Sequence, residues 1–88
     1  MNLYSENQTK NIHKETFAYL IIEEQNHVLS ITLNRPNKKN ALHPQLLNEL
    51  AFAFHYAHFN NFFRAVLIKA NGDVFSSGLD LKAMNGVI

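Results

Sequence analysis

The residues most able to do chemistry lie between Ser76 and Lys82, reading Ser-Ser-Gly-Leu-Asp-Leu-Lys. Ser76-Ser77-Gly78 lets the backbone bend sharply, and Asp80 stands where a helix beginning at Leu81 wants its N-cap. Such a bend leaves the backbone N–H groups near Leu79 and Asp80 unpaired and aimed outward, with a helix dipole behind them. An oxyanion, or the oxygen of a polarised carbonyl, is stabilised in that setting. The plainer alternative is a strand-loop-helix with no chemistry, common in α/β proteins. Gly72 and Gly78 lack the spacing of a phosphate loop, and no Lys-Ser/Thr pair follows Gly78.

Other combinations carry less. His55 and His58 are three residues apart on a helix, but no carboxylate or third histidine has suitable spacing to complete a metal site, so they read as helix-surface or interface residues. Glu49 reads as a helix-surface residue and Asp73 as part of a turn. No Gly-x-Ser-x-Gly elbow, no Ser-His-Asp arrangement and no carboxylate pair placed for acid/base work is legible, which disfavours a protease. Arg35, Lys38 and Lys39 share a loop after a strand, where they either meet phosphates or form a solvated basic loop.

The elements that position these residues follow from pattern. Phe17 to Glu23 is strand-like, Glu24-Gln25-Asn26 is a polar break, and His27 to Leu33 alternates, with Leu29, Ile31 and Leu33 on one face and Val28, Ser30 and Thr32 on the other. These two strands make an antiparallel hairpin. Pro44 suits the first turn of a helix, with His43 at the N-cap. Two apolar stripes follow at helical spacing, Leu46, Leu50, Ala53 and Ala57, then Phe52, Tyr56, Phe59 and Phe63. Together they wrap more of the helix than one sheet covers. Ala65 to Ile68 is an unbroken apolar run that reads as a strand buried on both faces, Asn71-Gly72 breaks it, and Phe75 anchors the next loop. Asn85-Gly86 resembles a helix stop. Strand, strand, helix, strand, loop and helix start define an α/β layer.

Composition sets the outer bounds. The 88 residues suffice for one small domain, with a net charge of +1 and no cysteine. This charge gives no electrostatic case for nucleic acid or an anionic membrane. No apolar run approaches membrane-spanning length, and no signal peptide is visible. A cytoplasmic protein is the expectation, with residues 1–16 a polar, mobile tail and 17–88 the folded region.

Two segments together resemble the crotonase superfamily, the enoyl-CoA hydratase/isomerase group. The first is Ser30-Ile-Thr-Leu-Asn-Arg-Pro-Asn-Lys-Lys-Asn-Ala-Leu42 with Leu46-Leu-Asn-Glu-Leu50, and the second is Ala65 to Met84. The resemblance implies the N-terminal part of a ββα spiral: antiparallel hairpin, helix, buried strand, oxyanion loop and short helix. It implies an acyl-CoA thioester as partner, no cofactor beyond coenzyme A as part of the substrate, and a homo-oligomer of trimer type. Leu79 would supply the first oxyanion amide, its bulk narrowing the acyl pocket relative to the alanine many members carry. Ser77, Asp80, Leu81 and Lys82 would line the coenzyme A path, with Lys38 and Ala41 flanking it.

Departures qualify this. Members of the family run to about three times this length. The Gly-rich segment giving the second amide and the catalytic carboxylates have no match here; Glu23, Glu24 and Glu49 do not correspond to them. The expectation is a truncated member whose isolated chain is inactive, or else a non-catalytic remnant that oligomerises through its aromatic helix and sheet edge.

Overall fold

The computed structural model describes residues 17–84; the polar segment 1–16 and the Asn85-Gly86 stop with Val87-Ile88 lie outside them. Strands β1 (Leu20–Gln25) and β2 (Val28–Leu33) pair antiparallel, from Leu20 opposite Leu33 to Gln25 opposite Val28. The two residues between them, Asn26 and His27, have φ of 53° and 65°. Positive φ at both positions matches a type I′ turn, whose twist suits the flanking strands. The turn therefore lies one step later than the polar break suggested, and β1 runs on to Gln25. His27 also ties the hairpin tip to the chain ahead of the third strand: its carbonyl accepts the Arg64 N–H at 2.7 Å, and its Nδ1 lies 3.0 Å from the Phe62 carbonyl.

Helix α1 (Pro44–Phe59) crosses back from β2 to β3 (Ala65–Ala70), which pairs parallel to β2, giving the sheet order β1-β2-β3. Pro44 occupies the first turn and His43 the N-cap, without a capping hydrogen bond. The two apolar stripes merge into one buried band of Leu46, Glu49, Phe52, Ala53 and Tyr56. It packs on Leu20, Leu29, Ile31 and Leu33, the inward positions of β1 and β2. The chain's own aromatics cover most of the second stripe, with Phe17 edge-on to Phe52 at 5.7 Å and Phe63 5.6 Å from Tyr56. Of the large apolar side chains on this helix, only Phe54 and Phe59 stay exposed.

Glu49 is the largest correction to the helix. It is 4% exposed, its Oε1 accepting the Tyr19 N–H at 2.8 Å and its Oε2 the Gln45 amide at 2.7 Å. A carboxylate is tolerated inside because both oxygens are bonded. Tyr56, also buried, donates to the Glu24 carboxylate, and burial together with that bond pushes its phenol up to about 12. A raised folded-state value gives stability that is present below the unfolded value of about 10 and lost as pH rises through about 12. Urea titrations should show the chain losing about 2–3 kcal/mol more than Tyr56→Phe over that interval. Parallel losses in the two proteins would refute the role of the phenol.

Burial of the Ala65–Ile68 run is corrected as well. Val66, Leu67 and Ile68 are 41%, 49% and 39% exposed. β3 pairs only with β2 among the described residues, and the core of α1 lies over β1 and β2. Register puts Val66 and Ile68 on the helix side of the sheet and Leu67 on the other. An apolar run has the composition of a covered strand, but here nothing in residues 17–84 covers it.

Candidate functional site

Two loops meet beyond the carboxyl ends of β2 and β3. The first leaves β2 at Leu33, makes a single 3-10 turn over Pro36–Lys38, and passes through Lys39 and Asn40, both with φ of 52°. The second leaves β3 at Ala70 and runs to the short helix α2 (Leu81–Met84). They are laced together by backbone bonds: Ser77 N–H to the Lys39 carbonyl at 3.0 Å, Leu42 N–H to the Gly78 carbonyl at 2.8 Å, and Asp80 N–H to the Leu42 carbonyl at 2.8 Å. Leu42 and Leu79 form a parallel bridge in which Leu42 uses both of its backbone groups. The N–H of Leu79 consequently points away from Leu42. It donates to no other group among the described residues, and Leu79 is half exposed. The bridge thus turns the Leu79 amide outward, whereas the Asp80 N–H, expected to point outward as well, is spent on the Leu42 carbonyl.

Glycine makes the bend. Gly78 has φ of 91° with open space where a Cβ would stand, so backbone conformation alone requires it there. Gly72 shares that φ, and a Cβ would in addition lie 2.9 Å from the Pro36 Cβ. Apolar packing contributes little to this region. Phe75, expected as the loop's anchor, is 57% exposed.

Asp80 caps α2, its Oδ1 accepting the Ala83 N–H at 3.1 Å. Its Oδ2 pairs with Arg35 Nη1 at 3.0 Å. The Ala83 N–H and then Arg35 hold the Asp80 carboxyl below its ordinary range. The same Arg35 nitrogen donates to the Ala41 carbonyl at 2.9 Å, and the guanidinium lies 5.9 Å from the centre of the Tyr19 ring. Arg35 is therefore neither a solvated charge nor a free anion contact. His43 stands edge-on to Tyr19 at 4.5 Å, and burial, then the nearby guanidinium, push its imidazole down.

The predicted contacts can now be placed. Lys38 is exposed at the end of the 3-10 turn, its carbonyl accepting the Ala41 N–H at 3.0 Å. Ala41, Ser77, Leu79 and Asp80 come together in the laced segments. Leu81 and Lys82 lie exposed on α2 just beyond. A small cleft of about 180 Å³ opens between Pro36, Lys39, Asn71, Gly72, Asp73 and Val74, and none of the predicted contacts lines it. His55 and His58 lie apart, their rings against Phe59.

Sequence reasoning missed Asn40, whose side chain is fully buried. Its Oδ1 accepts the Arg35 N–H at 2.8 Å, and its Nδ2 donates to the Asn71 and Val74 carbonyls at 2.7 and 2.9 Å. The asparagine-rich loop signalled turns, but nothing in its spacing announced partners more than thirty residues away.

Comparison with known proteins agrees with this architecture. Residues 23–87 match the family model described as enoyl-CoA hydratase/isomerase. The mouse mitochondrial Delta(3,5)-Delta(2,4)-dienoyl-CoA isomerase is 38% identical over 64 residues, covering 73% of this chain and 20% of the relative. Among solved structures, an enoyl-CoA hydratase/isomerase from Xanthobacter autotrophicus Py2 superposes with a TM-score of 0.74 at 38% identity, over 82% of this chain and 27% of that one. An enoyl-CoA hydratase from Mycobacterium tuberculosis H37Rv gives 0.74 at 34% identity, over 80% and 32%. The chain spans about a fifth of the length of the curated relative. No described helix is long and apolar enough to cross a membrane.

Proposed function

The chain belongs to the enoyl-CoA hydratase/isomerase family, and from that premise we propose that its laced loops hold the coenzyme A portion of an acyl-CoA thioester. The Leu79 N–H is then offered to the thioester carbonyl oxygen. The observation that carries this reading is the orientation of that amide, fixed by the Leu42–Leu79 bridge and directed away from it. Lys38 and Ala41 flank the coenzyme on one loop, with Ser77, Asp80, Leu81 and Lys82 along the other.

The chemistry follows from charge. When a proton leaves the carbon next to a thioester, negative charge builds on the carbonyl oxygen, and fixed N–H donors offset it. Loss of one such donor typically costs about 10²–10³ in rate. The described residues offer one donor of this kind at the site, and the carboxylate lining the cleft between the loops is Asp73, an exposed turn residue. Asp80 is held by Arg35 and Ala83, and Glu49 by Tyr19 and Gln45. On this reading these residues bind the thioester and polarise its carbonyl, and the isolated chain is expected not to turn it over.

Titration of the ¹⁵N-labelled chain with coenzyme A is expected to shift amides in residues 38–42 and 77–82, while crotonyl-CoA keeps its conjugated absorbance. Absence of shifts refutes binding. Turnover well above the buffer rate refutes inactivity.

Exposed β3 supports a second reading, a non-catalytic module that assembles with further copies through this strand. Its motive is the open apolar edge rather than the aromatic helix, whose second stripe is largely covered. The same titration separates the two, since this assembly needs no coenzyme A.

A further inference from the structure

We infer that Asn40 is a positioning residue, whose buried side chain and carbonyl together set the direction of the Leu79 N–H. As a statement about function this rests on the coenzyme A reading above; as a statement about geometry it stands alone. The loop from Asn71 to Gly78 must be fixed by something, and apolar packing does not fix it. Val74 and Phe75 are 36% and 57% exposed, and Asn71, Gly72, Asp73 and Ser77 are exposed as well.

Asn40 takes over that work. Its Nδ2 holds the near end of the loop through the Asn71 and Val74 carbonyls. Its carbonyl holds the far end by accepting the Ser76 hydroxyl at 2.9 Å, and Ser76 Oγ in turn accepts the Gly78 N–H at 3.1 Å. Its Oδ1 and N–H anchor the whole to Arg35, the latter donating to the Arg35 carbonyl at 2.9 Å. Every polar group of one residue is used, and the ties to Asn71, Val74 and Ser76 lie within the stretch that ends at Leu79. Burial makes these bonds costly to leave unmade. Asparagine suits the place for a second reason, because it tolerates the positive φ found there.

Asn40→Gly tests this, since glycine keeps the positive φ and strips every side-chain bond. The readout is the residual dipolar coupling of the Leu79 N–H, without ligand, in the weakly aligned 88-residue chain. In Asn40→Gly the couplings of residues 76–80 should leave the frame defined by β1, β2 and α1, while those elements still fit it. Hydrogen exchange at Leu42 and Asp80 should quicken by about tenfold. A lower melting midpoint with the Leu79 coupling still on the parental frame would mean a merely structural role and overturn the inference. If Asn40→Gly does not fold, Ser76→Ala, which cuts only the link from the Asn40 carbonyl to Gly78, is read in the same way. Unchanged couplings at Gly78 and Leu79 in that variant also overturn it. Failure of the parent to respond to coenzyme A strikes at the function reading and leaves these couplings unaffected.

Discussion

Arg35→Met should destabilise the chain strongly at neutral pH and less in acid. Methionine keeps an apolar stem beside Tyr19 and removes the nitrogen that bridges Ala41 and Asp80. Loss of the charge-assisted bond to the Ala41 carbonyl accounts for about 2 kcal/mol. Asp80 adds a separate, pH-dependent part. Its carboxyl is held low by the Ala83 N–H and by Arg35, so it contributes stability above the unfolded value of about 3.9 and loses it as pH falls through the folded value. Without Arg35 that contribution shrinks, so the gap between parent and variant should narrow below about pH 4. Urea unfolding at neutral pH and in acid measures both parts. An identical gap under both conditions would show that Asp80 gains nothing from Arg35.

The second large effect concerns association. At tens of micromolar the chain is expected to scatter light as an assembly, and Leu67→Lys as a monomer. β3 presents an outer edge of unpaired N–H and C=O groups among the described residues, with exposed Val66 and Ile68 on one face and Leu67 on the other. Edges of this kind are usually blunted by charge, proline or a bulge, whereas β3 carries only Lys69. A lysine at 67 leaves the buried core untouched, since Leu67 packs outside it. It should raise the dissociation constant by about tenfold or more. A monomeric parent refutes the assembly, and an assembly indifferent to Leu67→Lys places the contact elsewhere.

Sequence patterns revealed those parts of the fold that depend on near neighbours. Alternation from Val28 to Leu33 gave the inward face of β2, Pro44 marked the start of α1, and Asp80 was legible as the cap of α2 because a cap bonds within its own turn. The errors fall where the deciding partner is remote. Glu49 was read by its charge, yet it lies three residues after Leu46 and three before Phe52, in the buried band, and the Tyr19 N–H that makes it tolerable is thirty positions away. The run from Ala65 to Ile68 was read as covered because it is apolar, but coverage belongs to the neighbours of a strand.

At the candidate site, the resemblance and the local turn chemistry pointed to the two loops and the outward Leu79 amide, but also to an outward Asp80 N–H that is in fact bonded to Leu42. They did not reveal how the loops are joined. By its neighbours Arg35 is a loop cation facing anions or water, yet it closes on Asp80, forty-five residues on. Asn40 was one turn-former among several, and its four-way role depends on carbonyls supplied by the other loop.

The bridge between Leu42 and Leu79 has a consequence for mapping by mutagenesis. A site built from a main-chain donor is silent in an alanine scan at its own position, because Leu79→Ala leaves the N–H where it was. The sensitive positions are instead Asn40, Arg35 and Gly78, whose side chains or φ hold the backbone in place. A scan would therefore draw the outline of the scaffold and leave a blank at the amide proposed to meet the ligand.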